Sequence, residues 1–149
     1  MGLADELRGT RVCIDTALFI YLIEKHPKYL ELIKPVFAHI DSGHIQAVTS
    51  TITLLEVLVH PCRKKDMALA ERYRGILLHS SGLTIIEISH EISQSAASLR
   101  ASYSIRTPDA IQIAAGLAQT ATSFLTNDPD LKKVSEIRVL VLDDYLHGP

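Results

Sequence analysis

Cysteine is scarce in this chain, and the two that occur, Cys13 and Cys62, sit in unlike surroundings. The first lies inside an apolar run and the second in a Pro/Arg/Lys stretch with the character of a loop. Neither a disulfide framework nor a zinc knuckle can be built from them. Long apolar runs are missing too: none approaches the ~18 residues that span a bilayer. The opening MGLADELRGT shows no basic segment leading into an apolar one, so the expected compartment is the cytosol, with no membrane partner. An excess of positive charge is also absent. The formal net charge is -2 and the isoelectric point is near 6.4, so no global field advertises nucleic-acid binding. Such binding is not excluded, because divalent cations supply local positive charge and a small basic patch can grip phosphates. Arg63, Lys64, Lys65, Arg72 and Arg74, set against Asp66 and Glu71, form a candidate patch. A solvated helix face is the plainer account of the same run.

Several signatures are missing outright. No Gly-x-x-x-x-Gly-Lys loop or Gly-x-Gly-x-x-Gly turn occurs, which sets aside nucleotide binding of those kinds, and no Gly-x-Ser-x-Gly elbow is present. The seven histidines are scattered, with no His-x-His or His-Glu-x-x-His spacing, so structural and solvent roles are their default. A phosphatase with an Asp nucleophile at Asp15 would place a second Asp two residues on, where Ala17 stands. The acidic pair of a phospho-receiver is absent as well.

What is present is a chain of 149 residues, 47% of them hydrophobic, enough for one domain with its own core. Short β-branched runs alternate with longer segments of helical period, the pattern of βα units around a mainly parallel sheet. Strands are expected at Arg11 to Ile14, Ile45 to Val48, Leu83 to Ile88, Ser123 to Leu125 and Arg138 to Leu142. Helices are expected at Thr16 to Glu24, Lys28 to His39, Thr51 to Val59, Asp66 to His79 and Glu91 to Tyr103, and a last one opens at Thr107-Pro108-Asp109. Pro35 begins a turn or kinks its helix, and His60-Pro61 with the basic run is expected to be a loop. The helix after Pro108 is Ala/Ile-rich nearly all round (AIQIAAGLA), which predicts burial. Lys28 to His39 and Thr51 to Val59 carry more apolar residues than one face of a small domain needs, which predicts a homodimer or a groove covered by a partner protein. His147 to Pro149 are expected to fray.

Four acids stand at informative places. Asp15 follows the first strand and precedes a helix, where a carboxylate commonly caps free N–H groups. Glu56 sits in TITLLEVLV, where a capping box or the helix dipole would account for it, yet its neighbours are apolar. Asp109 is placed for dipole stabilisation at the second helical position, but on a helix that is otherwise buried, and a buried carboxylate is costly unless it is paired or binds a metal. Asp128, in LTNDPDL, suits an Asx-type turn. Taken together they share a further property. The carboxyl ends of parallel strands and the helix starts that follow them line one sheet edge, where ligands bind at a topological switch point. Acids converging there repel one another, and a hard divalent cation with all-oxygen ligation, Mg²⁺ or Mn²⁺, relieves the repulsion.

The ordered set of Ile14-Asp15-Thr16, Leu54-Leu55-Glu56, Pro108-Asp109-Ala110 and Thr126-Asn127-Asp128 resembles the PIN domain, and within it the VapC-type toxins of bacterial toxin–antitoxin pairs. The resemblance runs from about Arg11 to Leu142. It implies a three-layer α/β fold with a five-stranded, mainly parallel sheet of order 3-2-1-4-5. It implies a metal-dependent endoribonuclease acting on single-stranded RNA, homodimerisation, and an antitoxin that blocks the site. By position, Asp15, Asp109 and Asp128 would be metal ligands, Glu56 a ligand through water or the base that positions it, and Thr126 a hydrogen-bonding support. The metal would activate water in line with a phosphodiester and neutralise charge on the phosphoryl oxygens. Arg100 and Arg106 flank the Asp109 helix start and could contact phosphate, with surface solvation as their ordinary role. The alternative to a nuclease is a catalytically silent PIN-like module that binds RNA or protein.

Overall fold

The computed structural model describes residues 2–146, and the expected fraying of His147 to Pro149 lies outside them. In chain order the elements are α1 (Leu3–Leu7), β1 (Arg11–Ile14), α2 (Thr16–Ile23), α3 (Leu30–Asp41), β2 (Gln46–Ser50), α4 (Thr51–Lys64), α5 (Met67–His79), β3 (Leu83–Ile86), α6 (His90–Tyr103), α7 (Thr107–Ala118), β4 (Ser123–Thr126) and β5 (Arg138–Val141). Two 3-10 turns, Pro129–Lys133 and Leu142–Tyr145, flank β5. The sheet order is β3-β2-β1-β4-β5 and every pairing is parallel. From β1 the chain moves outward to β2 and β3, then crosses back to β4 on the other side of β1. The switch point therefore lies between β1 and β4.

Alternation along the strands sets the three layers. Val12, Ile14, Ala47, Leu125 and Leu140 join one core with residues of α1 to α5, whereas Cys13, Val48 and Phe124 join a second core with α6 and α7. Both faces of the sheet are thus covered, as a parallel sheet requires. Leu3 and Leu7 are buried in the first of these cores, so packing begins ahead of Arg11, and the short α1 was not expected.

The largest departure from the sequence reading is at His60-Pro61. α4 runs through both to Lys64, with Cys62 and Arg63 helical, and it ends where Lys65 takes the left-handed conformation at φ 54°. Proline removes one backbone donor but does not forbid helix when the surrounding turns hold it. Here the Lys65 N–H donates to the Cys62 carbonyl at 3.3 Å and the Asp66 N–H to the Pro61 carbonyl at 2.9 Å, which closes the end of the helix. Pro35 is likewise inside α3. The basic residues Arg63, Lys64 and Lys65 consequently stand exposed on a helix end, whereas Arg72 donates to the Ile23 carbonyl at 3.1 Å and Arg74 pairs with Glu71. The apolar surplus expected on two helices is found on α4 rather than α3. Ile33 and Val36 are buried, while on α4 Leu55 is 60% exposed and Val59 is open to solvent; Met67 and Leu78 are open on the following α5.

α7 approaches the sheet closely because its residues are small. A Cβ added at Gly116 would meet the Cys13 Cβ at 2.8 Å. Gly116→Val is therefore expected to destabilise the fold by about 1–3 kcal/mol through overpacking, measured by thermal or urea unfolding. Parent-like stability would mean that α7 can back away from β1.

Candidate active site

β1, β2 and β4 end side by side, and the site is supplied by residues that follow these strands together with the start of α7. Asp15 is the N-cap of α2. One of its oxygens, Oδ1, accepts from the Thr16 N–H at 2.8 Å, and the other, Oδ2, accepts from the Thr126 hydroxyl at 2.7 Å. The same Thr126 Oγ1 accepts from the Asp128 N–H at 3.2 Å, so one buried hydroxyl at the end of β4 joins Asp15 to the Asp128 backbone. Asp128 Oδ1 accepts from the Asp130 N–H at 3.0 Å, which is the Asx-type turn that the sequence suggested. Capping and turn formation thus account for one oxygen of each of these two acids.

Glu56 departs from its sequence explanation. The α4 cap is Ser50, which accepts from the Ile52 N–H, and no acid lies in the first turn. Neither a capping box nor a first-turn dipole accounts for Glu56. Its Oε1 instead accepts from the Thr16 hydroxyl at 2.6 Å, across from α2. Asp109 occupies the third position of α7, one further in than expected, and is buried. It meets Arg106 through Nε to Oδ2 at 3.0 Å and Nη2 to Oδ1 at 3.4 Å.

Behind the acids lies a buried polar network that the sequence reading did not identify. Gln112, one turn after Asp109 on the same face of α7, accepts from the Ser50 hydroxyl at 2.7 Å and donates to Thr16 at 3.2 Å and to Thr53. Thr53 also contacts Thr16 at 3.0 Å and Thr49 at 2.8 Å, and Thr49 reaches the Ile14 carbonyl at 2.9 Å. Thr16 has one proton and gives it to Glu56, so Thr53 supplies the proton of their contact. The network ties α7, α2 and the β2–α4 junction into one unit, with Glu56 as its outlet. The available signal was the i, i+3, i+7 spacing of Asp109, Gln112 and Gly116, which puts an amide on the face that meets β1.

The electrostatics place Asp15 within the field of Asp109 and Glu56, and Arg106 within that of Asp109, Glu56 and Asp128. Asp15 is pushed up to about 6, first by burial and then by the charges of Asp109 and Glu56, against the opposing hydrogen bonds from Thr126 and Thr16. Arg106 holds its proton more tightly than usual, chiefly through Asp109 and further through Glu56 and Asp128. Among the described residues, Arg106 is the one cation paired with any of the four acids. Cys13, by contrast, is a buried thiol pushed upward and is inert packing.

Asp15 has a linkage consequence. Its folded value is raised above its unfolded one, near 3.8. The stability it contributes is complete below that unfolded value and is lost as pH rises through about 6. In chelator, the melting temperature of the parent relative to Asp15→Asn is expected to climb as pH falls from 7 to 5. Parallel profiles for the two proteins would contradict the assignment.

For a bound ion, the donors on offer are the carboxylates of Asp15, Glu56, Asp109 and Asp128, all oxygen, which suits Mg²⁺ or Mn²⁺ over softer metals. Asp15 carries charge that burial and its neighbours penalise, and a cation would relieve that penalty. Among the described residues, no three His, Cys, Asp or Glu side chains stand close enough to enclose an ion as they are placed, and Arg106 lies against Asp109.

A family model for the PIN domain matches residues 12–137. No curated protein matches by sequence. Among solved structures, the chain resembles VapBC2 from Rickettsia felis bound to a promoter DNA fragment, with TM-score 0.68 at 19% identity, covering 88% of this chain and 98% of that one. It also resembles a toxin–antitoxin complex from Klebsiella pneumoniae, with TM-score 0.65 at 23% identity, covering 88% and 97%. A third is VapC20 from Mycobacterium tuberculosis, a toxin that cleaves the sarcin-ricin loop, with TM-score 0.67 at 17% identity, covering 85% and 98%. At these identities the likeness is one of fold.

Proposed function

The chain belongs to the PIN domain family, and from that premise we propose that it is a divalent-metal-dependent endoribonuclease cleaving single-stranded RNA, the toxin of a toxin–antitoxin pair acting in the cytoplasm. The observation that carries the reading is the sharing of Asp15 and Glu56 through Thr16, with Asp109 and Asp128 in the same field, at the switch point of a parallel sheet. Asp15, Asp109 and Asp128 are the residues that would hold Mg²⁺ or Mn²⁺. When bound, such an ion supplies Lewis acidity toward a phosphodiester and makes a neighbouring water more acidic.

The chain's own side chains do the rest. Glu56, fixed by the Thr16 hydroxyl on one oxygen, keeps its other oxygen for orienting water and receiving its proton. Thr126 holds the Asp15 carboxylate in one orientation, which leaves the lone pairs not used by Thr16 and Thr126 available to an ion. Gln112 keeps the Thr16 proton directed at Glu56. A phosphodiester approaching this edge meets Arg106 first, since its guanidinium is largely exposed.

An antitoxin or a second copy of the chain is the partner this reading carries. The exposed Leu55 and Val59, one turn apart on α4, support it, because apolar side chains clustered on a helix face commonly await a partner. Sedimentation of the purified chain with and without the product of a neighbouring small gene tests the partner. A monomer at tens of micromolar that ignores that product counts against it.

The test of the activity is cleavage of single-stranded RNA with Mg²⁺ or Mn²⁺ and with chelator. Cleavage that persists in chelator ends the metal-nuclease reading. No cleavage under any condition, with RNA still bound, promotes the silent binding module.

A further inference from the structure

We infer that Arg106 is an internal counter-cation of the acidic cluster, one that an incoming divalent ion displaces from Asp109 and that then turns its guanidinium to a substrate phosphate. The inference rests on the metal-nuclease reading above.

The pair is lopsided: the Asp109 side chain is 6% exposed and that of Arg106 is 73% exposed. The guanidinium therefore covers the buried carboxylate from the solvent side, and it presents a two-pronged contact, through Nε and Nη2. A small cation reaching Asp109 competes for those same two oxygens. Arg106 also feels Glu56 and Asp128, so its positive charge serves the cluster and not one acid alone.

Its backbone is anchored while its side chain is free to leave. Ile105 before it is buried, and the Ile105 carbonyl accepts from Arg100 Nε at 2.9 Å. The Arg106 carbonyl accepts from the Ala110 N–H at 3.0 Å as the first bond of α7. Arg106 is the N-cap of α7 yet makes no side-chain cap bond, so swinging the guanidinium away costs the helix nothing. A fork built to match a carboxylate matches a phosphodiester equally well. Once an ion neutralises Asp109, the fork loses its partner at the moment a polyanionic substrate needs one.

The experiment compares the full-length parent with Arg106→Gln and Arg106→Lys at pH 8, where carboxylates are ionised. Thermal unfolding is followed in chelator and in saturating Mn²⁺, alongside calorimetric titration with Mn²⁺ and the KM for single-stranded RNA. Arg106→Gln is expected to melt below the parent in chelator and level with it in Mn²⁺. It should bind Mn²⁺ roughly five-fold more tightly, as loss of a partly exposed ion-pair partner implies. KM for RNA should rise about tenfold, the loss of one charged phosphate contact. Arg106→Lys, which keeps the charge without the fork, should restore the melting temperature in chelator but not the KM. An equal loss of melting temperature with and without Mn²⁺ would mark a purely structural ion pair and overturn the inference, as would unchanged Mn²⁺ affinity. An unchanged KM would overturn the phosphate step. Failure of the parent to bind Mn²⁺ at all would instead sink the underlying nuclease reading, and this inference with it.

Discussion

Asp109→Asn and Asp15→Asn are each expected to lower metal-dependent cleavage of single-stranded RNA by at least about 10²-fold while leaving the protein folded. Amide for carboxylate keeps the volume and one acceptor oxygen but removes the anionic oxygen that a hard cation requires. The structure sharpens why the fold should survive. At Asp15, one oxygen caps α2 through Thr16, and Asn is nearly as good a cap as Asp. The second oxygen accepts from Thr126, whose hydroxyl can rotate to accept from an amide. At Asp109, the partner lost is Arg106, which is mostly in water, and such a pair contributes little to stability, ~0–1 kcal/mol. Relief of repulsion acts in the other direction, because Asp15 is held above its ordinary range partly by Asp109 and Glu56. In chelator the Asn variants should therefore be as stable as the parent or more so, and only the parent should gain stability from Mn²⁺ by mass action. Full cleavage activity in Asp109→Asn would remove Asp109 from the site. A collapse in stability with chelator present would show that the acids serve the fold.

The parts of this molecule that could be read from sequence are those governed by local rules. All five strands fall within two residues of their expected ends, because β-branched runs and the polar residues that follow them are local signals. β2 runs two residues further than expected, to Ser50, because Ser50 still pairs with Ile86 of β3 while capping α4. That double role depends on a partner 36 positions away, as the register itself records, and no local pattern announces it. Asp15 and Asp128 stand out as candidates because each follows a strand end, and Asp109 because it opens a buried helix, places where the chemistry of capping draws attention. Glu56 is a candidate because it is an acid out of place among Leu54, Leu55, Val57 and Leu58.

Two misreadings have a common physical cause. His60-Pro61 followed by Cys62-Arg63-Lys64 has the composition of a loop, but tertiary context overrides propensity, and the turns around Pro61 hold the helix to Lys64. Gln112 is a lone amide within an Ala/Ile-rich helix, where no local pattern supplies its partners. Its importance comes from residues at 16, 50 and 53, which only the folded sheet brings to it. Arg106 was similarly divided between phosphate contact and solvation, since its meeting with Asp109 depends on both the helix turn and the burial of the acid.

Gln112→Leu is expected to produce the largest loss of stability of any single change at the site, about 3–5 kcal/mol. Leucine fills nearly the same space, so packing is not the cause. The loss is polar: the buried Ser50 hydroxyl is left without its acceptor, and Thr16 and Thr53 each lose a donor, in a region closed to water. Each unsatisfied buried group costs about 1–3 kcal/mol, more than the hydrogen bond itself contributes. A methylene deletion on the same helix, Ile113→Val, supplies the scale for ordinary core damage, at about 0.5–1.5 kcal/mol. Cleavage should fall as well, because the Thr16 proton is then free to turn from Glu56 to another acceptor. The decisive measurement is a double-mutant cycle in urea. Ser50→Ala combined with Gln112→Leu removes both ends of one bond, and the pair should be less destabilised than the sum of the two single changes. Strict additivity, or a Gln112→Leu protein that melts and cleaves like the parent, would show that the amide is a bystander and that Glu56 is held by Thr16 alone.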